Sequence, residues 1–282
     1  EPQIWDKTDK FLLLSGFLTH RLTGEYRDSS GNMVGYLPFD YKKQRWSKPH
    51  DMRWKLFPMD PSVLPTLVKP AELLGHVTSR ACEETGIPKG LPVIAAGTDK
   101  ACEVLGAGCL SPEVACLSYG TTATVNTANE KYVQVRAFTP TYPSALPGAY
   151  NTEVMVYRGF WLVSWFKEQF GLREMQIASK RNIAPEALFD ELIENIPPGS
   201  MGLTLQPYWS PGTNTDADVK GAIIGFGDVH TRAHIYRSIL EGLGYALKDG
   251  MLALQKKNKV KINCLRVSGG GSQSDAAMQI TA

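Results

Sequence analysis

The sequence predicts an α/β fold, because short apolar strands alternate with helix-forming segments along most of its length. Three junctions support this most directly. Residues 91–96 (LPVIAA) run into Gly97-Thr98-Asp99, residues 114–118 into Tyr119-Gly120-Thr121-Thr122, and residues 262–267 into Ser268-Gly269-Gly270-Gly271. At each, an apolar run meets small residues able to close a turn. A helix-forming stretch follows the first and third junctions, and a β-rich piece, residues 123–126, follows the second. The unbroken apolar character of 91–96 predicts a buried strand.

The remaining elements follow from spacing and punctuation. Over residues 5–22, Phe11, Leu12, Leu14, Phe17, Leu18 and Leu22 recur at helical spacing, and Gly24 supplies a stop. Residues 26–46 are polar and turn-rich, and Pro58, Pro61, Pro65 and Pro70 predict a loop-heavy stretch. Residues 80–85 form a short helix ended by Gly86, and another helix starts at Asp99. The break in character over residues 106–111 is the candidate domain boundary. Residues 140–147 read as loop. Phe160, Trp161, Trp165, Phe166 and Phe170 lie at helical spacing and are expected to be core. Residues 185–194 form a further helix, which Pro197-Pro198-Gly199 separates from a strand over 203–209 and a polar loop through Val219. The longest helical pattern covers 231–255, with Thr231 as its cap.

Composition narrows the function classes. The 282 residues are 43% hydrophobic and 21% charged, enough to bury a core, and the net charge of +2 argues against a polyanion-binding surface. No apolar run approaches the ~20 residues that span a bilayer, and no basic-then-apolar leader opens the chain. The five cysteines form no CxxC pair and are odd in number, so they are expected to be small buried hydrophobes in a reducing, cytoplasmic setting. The chain opens with Glu1-Pro2-Gln3 and ends at Ala282 inside a helix-forming stretch, so a fragment is expected.

Each junction offers a chemistry and a plainer alternative. Asp99 directly follows a strand, at the end where open α/β sheets place ligands, and could accept a proton from a substrate hydroxyl. The alternative is a helix N-cap. In Gly120-Thr121-Thr122, backbone amides and two hydroxyls could face an anion, or the three residues could simply turn a hairpin. At Gly269-Gly270-Gly271 bare backbone would let a flat base lie close. No GxxxxGK[ST] loop occurs and no GxGxxG follows a strand, which excludes a P-loop and disfavours a dinucleotide fold. His230 and His234 are expected to serve helix-start packing or hydrogen bonding rather than a metal. Lys256, Lys257 and Lys259 read as a solvated helix end.

The segment 221–241, GAIIGFGDVHTRAHIYRSILE, is the most specific motif. Gly221, Ile223, Gly225, His234, Ile235, Ser238, Ile239, Leu240 and Glu241 stand at the spacing of the second signature of the FGGY carbohydrate kinases, with Phe226 the one departure. With Pro207-Tyr208-Trp209, AAGTDKACEVLGAG, YGTT and VSGGGSQSD in family order, the chain resembles that family over nearly its whole length.

The resemblance implies an actin-like ATPase (ribonuclease H-like) fold, with two α/β domains flanking a cleft and both incomplete here. Residues 1–106 correspond to the C-terminal part of the sugar-binding N-terminal domain, and 107–282 to the N-terminal part of the nucleotide-binding domain. It implies transfer of the γ-phosphoryl of ATP, with Mg2+, to a sugar or polyol hydroxyl, foremost of a pentulose such as xylulose or ribulose. A nucleotide-binding pseudo-kinase is the alternative. Position by position, Asp99 matches the catalytic base at the substrate. Gly120, Thr121 and Thr122 match the second phosphate loop, and Gly159 a nucleotide-side glycine. Gly269, Gly270, Gly271, Ser272 and Gln273 match the adenosine site, while Asn32 reads as structural. No counterpart of the family's first phosphate loop is present. A homodimer is compatible with such a fold, and neither nucleic acid nor membrane is implied as partner.

Overall fold

The computed structural model describes residues 2–35, 38–136, 139–210 and 218–282; most of the polar loop expected before Val219 lies outside them. Contacts divide the chain into two units. The first comprises Glu1–Leu110, Ala128–Val133 and Pro140–Asn151; the second comprises Ser111–Thr127, Gln134–Thr139 and Thr152–Ala282.

In the first unit, helix α1 spans Leu14–Thr23 and strand β1 spans Arg27–Ser29. A single helical turn at Pro2–Trp5 precedes α1, so the helix expected from residue 5 begins only at Leu14. Leu13 is extended, and the Phe11 amide bonds to the Val63 carbonyl instead of continuing a helix. Helix α1 ends at Gly24 as expected, in the left-handed conformation at φ 78°. Its buried face carries Gly16, Thr19 and Thr23, whereas Leu14 is 73% and Phe17 48% exposed. Small residues face inward because the neighbours come close. A Cβ on Gly16 would stand 3.1 Å from Asp28 Oδ2, and one on Gly75 2.7 Å from the Thr23 Cβ.

A β2–β3 hairpin (Phe39–Asp40 with Arg45–Trp46) follows β1, and β4 (Thr66–Val68) then pairs with β1 in parallel. Strand β5 (Leu73–His76) leads to helix α2 (Ser79–Thr85), which stops at left-handed Gly86, and to β6 (Pro92–Ile94), antiparallel to β5. The run 91–96, expected to be a buried strand, is corrected here. Ile94 is 50% exposed and Ala95 is buried, because β6 pairs with β5 alone among the described residues. Helix α3 (Asp99–Gly106) begins where the sequence predicts.

The second unit is built on strands in the order β13-β7-β8-β10. Strand β7 (Val114–Tyr119) turns into antiparallel β8 (Ala123–Asn129), with Tyr119 opposite Ala123. The short β9 (Tyr142–Pro143), in the stretch read as loop, belongs to the first unit and pairs with Tyr150 and Asn151, the start of β10 (Tyr150–Val156) that lies in the same unit; spacing did not predict β10. Three helices follow: α4 (Trp161–Phe170), α5 (Leu172–Arg181) and α6 (Pro185–Ile193), of which α5 was unforeseen. Only Phe166 of the aromatic set is fully buried; Phe170 is exposed and the others partly covered.

The strand expected over 203–209 shortens to β11 (Thr204–Gln206), which pairs with β12 (Ala222–Ile224). Helix α7 (Arg232–Asn258) carries Tyr236, Ile239, Leu243 and Leu247 into a core with Leu117, Val125, Val154 and Phe189. Its start is a capping box, in which the Thr231 side chain accepts from the backbone at His234 and the His234 ring accepts from the Thr231 amide. Strand β13 (Cys264–Ser268) and helix α8 (Asp275–Thr281) complete the unit. Cys109 and Cys116 are buried, but Cys102 and Cys264 are exposed, contrary to the expectation for all five. Cys102 lies on the open side of α3, and Cys264 begins the strand at the edge of the sheet order.

Candidate functional site

Strands β7 and β13 run parallel with Ser118 opposite Ser268, so the turns that follow them leave the same end of the sheet. That is the carboxyl end, where open α/β sheets bind ligands. After β7, Gly120, Thr121 and Thr122 form the loop of the β7–β8 hairpin, so the plainer reading of that turn is also true. The residues before α4 fold onto this loop. The Phe160 amide donates to the Gly120 carbonyl at 3.0 Å, the Trp161 amide to the Thr121 carbonyl at 3.4 Å, and the Thr122 hydroxyl to the Tyr157 carbonyl at 3.3 Å. Thr122 is thereby engaged with backbone, while Thr121 is exposed. Gly159 is a contact glycine, since a Cβ there would lie 2.1 Å from the Ala123 nitrogen.

After β13 the glycines divide the work. Gly269 has φ +89°, a region that disfavours any side chain, and a Cβ there would press on the Tyr119 backbone. Gly270 has open space where a side chain would point. Gly271 lies on the ring of Phe160. Ser272 donates from its amide (3.1 Å) and hydroxyl (2.7 Å) to the Gly269 carbonyl, which closes the turn. Gln273 is exposed at the end of the single helical turn Gly270–Gln273. Seven of the sequence-selected positions, Gly120, Thr121, Thr122, Gly159, Gly269, Gly270 and Gly271, thus form one corner of the second unit. Tyr119, which opens that turn in the sequence, and Phe160, which the sequence suggests only as core, stack beneath at 4.7 Å between centroids and 20° between planes. Burial pushes the Tyr119 phenol above its ordinary pKa.

In the first unit, Thr98 rather than Asp99 caps α3, its hydroxyl accepting from the Ala101 amide at 3.2 Å. Asp99 is therefore the first residue of the helix, exposed, with Oδ1 accepting the Lys100 amide at 2.6 Å. The approach to Asp99 is braced by the end of β1. The Thr98 amide donates to the Gly31 carbonyl at 3.3 Å, and the Ser29 hydroxyl donates to the Ala96 carbonyl. Asp28, fully buried, accepts from Ser15 Oγ at 2.7 Å, the Ser29 amide at 2.7 Å and Asn32 Nδ2 at 3.0 Å, which gives Asn32 the structural role expected of it.

His230 and His234 both hydrogen-bond at the start of α7, as expected: His230 Nδ1 accepts the Gly227 amide at 2.7 Å. Glu241, at the end of the most specific motif, accepts from Arg237 Nε at 2.8 Å and the Gly199 amide at 2.9 Å. Gly221, at its start, leaves room for the Trp209 indole. That motif is architectural: it holds chain to chain inside the second unit. Among the described residues, no helix is long and apolar enough to cross a membrane, and no group of three or more His, Cys, Asp or Glu could hold a metal.

The N-terminal domain model of the FGGY family of carbohydrate kinases matches residues 1–106, and the C-terminal domain model matches 115–282. An uncharacterised sugar kinase of Escherichia coli (strain K12) is 35% identical over 95% of this chain and 54% of its own length. The xylulose kinase of Lactococcus lactis subsp. lactis (strain IL1403) is 29% identical over 100% of this chain and 54% of its own. The crystal structure of a xyloylose kinase from Brucella ovis superposes with a TM-score of 0.85 at 26% identity, covering 100% of this chain and 55% of that one. The chain spans about half the length of these relatives. Its two units carry the actin-like α/β architecture of those kinases, and the chain belongs to the FGGY family of carbohydrate kinases.

Proposed function

We propose that the full-length protein transfers the γ-phosphoryl group of ATP to a hydroxyl of a sugar or polyol, foremost a pentulose such as xylulose. The observation that carries this reading is the single corner formed by Gly120, Thr121, Gly159, Gly269, Gly270 and Gly271 at the carboxyl ends of β7 and β13. Phosphoryl transfer asks a protein mainly to position groups and offset charge, and exposed backbone at such a corner does both. Gly120, Thr121 and Thr122 face the phosphates in this reading, and Gly269, Gly270, Gly271, Ser272 and Gln273 the adenosine. The pentulose assignment draws on the xylulose kinases among the relatives. We assign residues 1–106 to the sugar-binding domain, residues 107–282 to the nucleotide-binding domain, and the protein to the cytoplasm.

Asp99 serves as the base that takes the proton from the attacking hydroxyl. Thr98 supplies the cap, so the Asp99 carboxylate is not needed to close the helix end. A bound nucleotide would supply the phosphoryl group, Gly120 and Thr121 would face its phosphates, and Mg2+ carried by those phosphates would offset their charge. Replacing Asp99→Asn in the full-length protein is expected to lower kcat about 10²–10⁴-fold. The affinity for ADP should stay within about twofold, since a base touches the acceptor and not the nucleoside. Steady-state kinetics with calorimetric ADP binding checks both; an unchanged kcat would remove Asp99 from this role.

A further inference from the structure

We propose that Phe160 is a positioning residue that sets the spacing between the phosphate-side turn and the adenosine-side turn of the nucleotide corner. This rests on the nucleotide reading above and adds to it a part that the glycines alone cannot supply. Two flexible turns on neighbouring strands need something rigid between them if one ligand is to meet both.

Phe160 touches each turn by a different route. Its backbone amide donates to the Gly120 carbonyl at 3.0 Å, which fixes it to the β7–β8 loop. Its ring lies against Gly271: the three atoms nearest to a Cβ built there are Phe160 ring carbons, at 2.5, 2.6 and 3.0 Å. The other side of the story is rotational. The ring stacks on Tyr119, which is 1% exposed, so it is not free to swing out from under the glycine turn. Gly159 holds the preceding residue against Ala123 and leaves the Phe160 backbone little room to shift.

The two glycines that flank Gly270 then differ in a way that can be tested. Gly269 has positive φ, and a Cβ there would lie 2.9 Å from the Tyr119 backbone, so no side-chain change elsewhere can make room for an alanine. Gly271 is outside the positive-φ set, and the obstacle to an alanine there is the Phe160 ring. Shrinking Phe160 should therefore offset Gly271→Ala and leave Gly269→Ala uncorrected.

The test is calorimetric binding of ADP with Mg2+ to the full-length protein and its variants Gly271→Ala, Phe160→Ala, Gly269→Ala and the two double variants with Phe160→Ala. Gly271→Ala and Phe160→Ala are each expected to weaken ADP binding about tenfold, equivalent to about 1.4 kcal/mol. The Gly271→Ala/Phe160→Ala pair should bind no more weakly than the weaker single variant, a non-additivity characteristic of groups in contact. Gly269→Ala should gain nothing from Phe160→Ala.

The binding stoichiometry separates positioning from simple support of the fold. Positioning changes Kd at unchanged stoichiometry, whereas a purely structural role lowers the active fraction at unchanged Kd. Phe160→Leu, which retains bulk, provides the same comparison where Phe160→Ala does not fold. Additive losses of about a hundredfold, or a fall in stoichiometry alone, would overturn the proposal while leaving the nucleotide reading standing. A full-length protein that binds no ADP would overturn both.

Discussion

At the scale of single residues, the Thr98 hydroxyl closes the start of α3 and the Asp99 carboxylate is not needed for that task. Asp99 and Thr98 are both good capping residues, and only the hydrogen bond to the Ala101 amide shows that Thr98 takes the cap. In the second turn, the hairpin and the proposed anion loop are compatible readings, because the backbone that reverses the chain leaves Gly120 half-buried and Thr121 exposed. Gly159 was selected by resemblance, and its cause is now physical. A methyl group there meets backbone rather than a side chain that could yield. Gly159→Ala is accordingly expected to destabilise the second unit by about 3 kcal/mol, the upper part of the range for overpacking. A thermal unfolding midpoint indistinguishable from the unaltered protein would contradict that packing. Tyr119 and Phe160 are each visible in the sequence, but their stacking is not, since an aromatic pair brought together by tertiary contact has no fixed spacing along the chain.

At the scale of elements, spacing located helices well and their buried faces poorly. Helix α7 came through because its period persists for many turns and its cap chemistry is explicit at Thr231. Helix α1 shows the limit: the face that looks apolar in sequence is exposed, and the buried face is made of Gly16, Thr19 and Thr23, chosen for close approach. Strand β6 fails for a related reason, since an apolar run reports what a strand prefers and not how many neighbours cover it. Helix α5 has a polar composition and was missed, yet it is tied firmly to α7. Arg232 forks onto both oxygens of Glu174 at 2.6 Å each.

That pair has a pH signature. The Arg232 guanidinium, through these hydrogen bonds, holds the Glu174 carboxyl below its ordinary pKa. A group depressed on folding stabilises above its unfolded pKa, near ~4.3, and the contribution disappears as pH falls through the lower folded value. Glu174→Gln should therefore cost about 2 kcal/mol at pH 7, the scale of a charge-assisted hydrogen bond. The gap between variant and unaltered protein should narrow below about pH 4. Unfolding midpoints across that range check the sign; a gap that widens in acid would show that the pair does not act in this way.

At the scale of the whole molecule, family and architecture were legible because a few motifs with strict spacing recur in order, from the segment before Asp99 through 221–241 to the glycine turn. The acceptor was not legible in the same way. The chain spans about half the length of its relatives, and the motifs it carries bear on the proposed nucleotide corner, one carboxylate and the architectural segment 221–241. The central claim is phosphoryl transfer to a sugar or polyol, and ADP release by the full-length protein measures it most directly. With ATP and Mg2+ present, ADP should form when xylulose, ribulose or another ketose or polyol of a panel is added, and only at background level without an acceptor. ADP formation at one rate with and without every acceptor, or none with any, would contradict it.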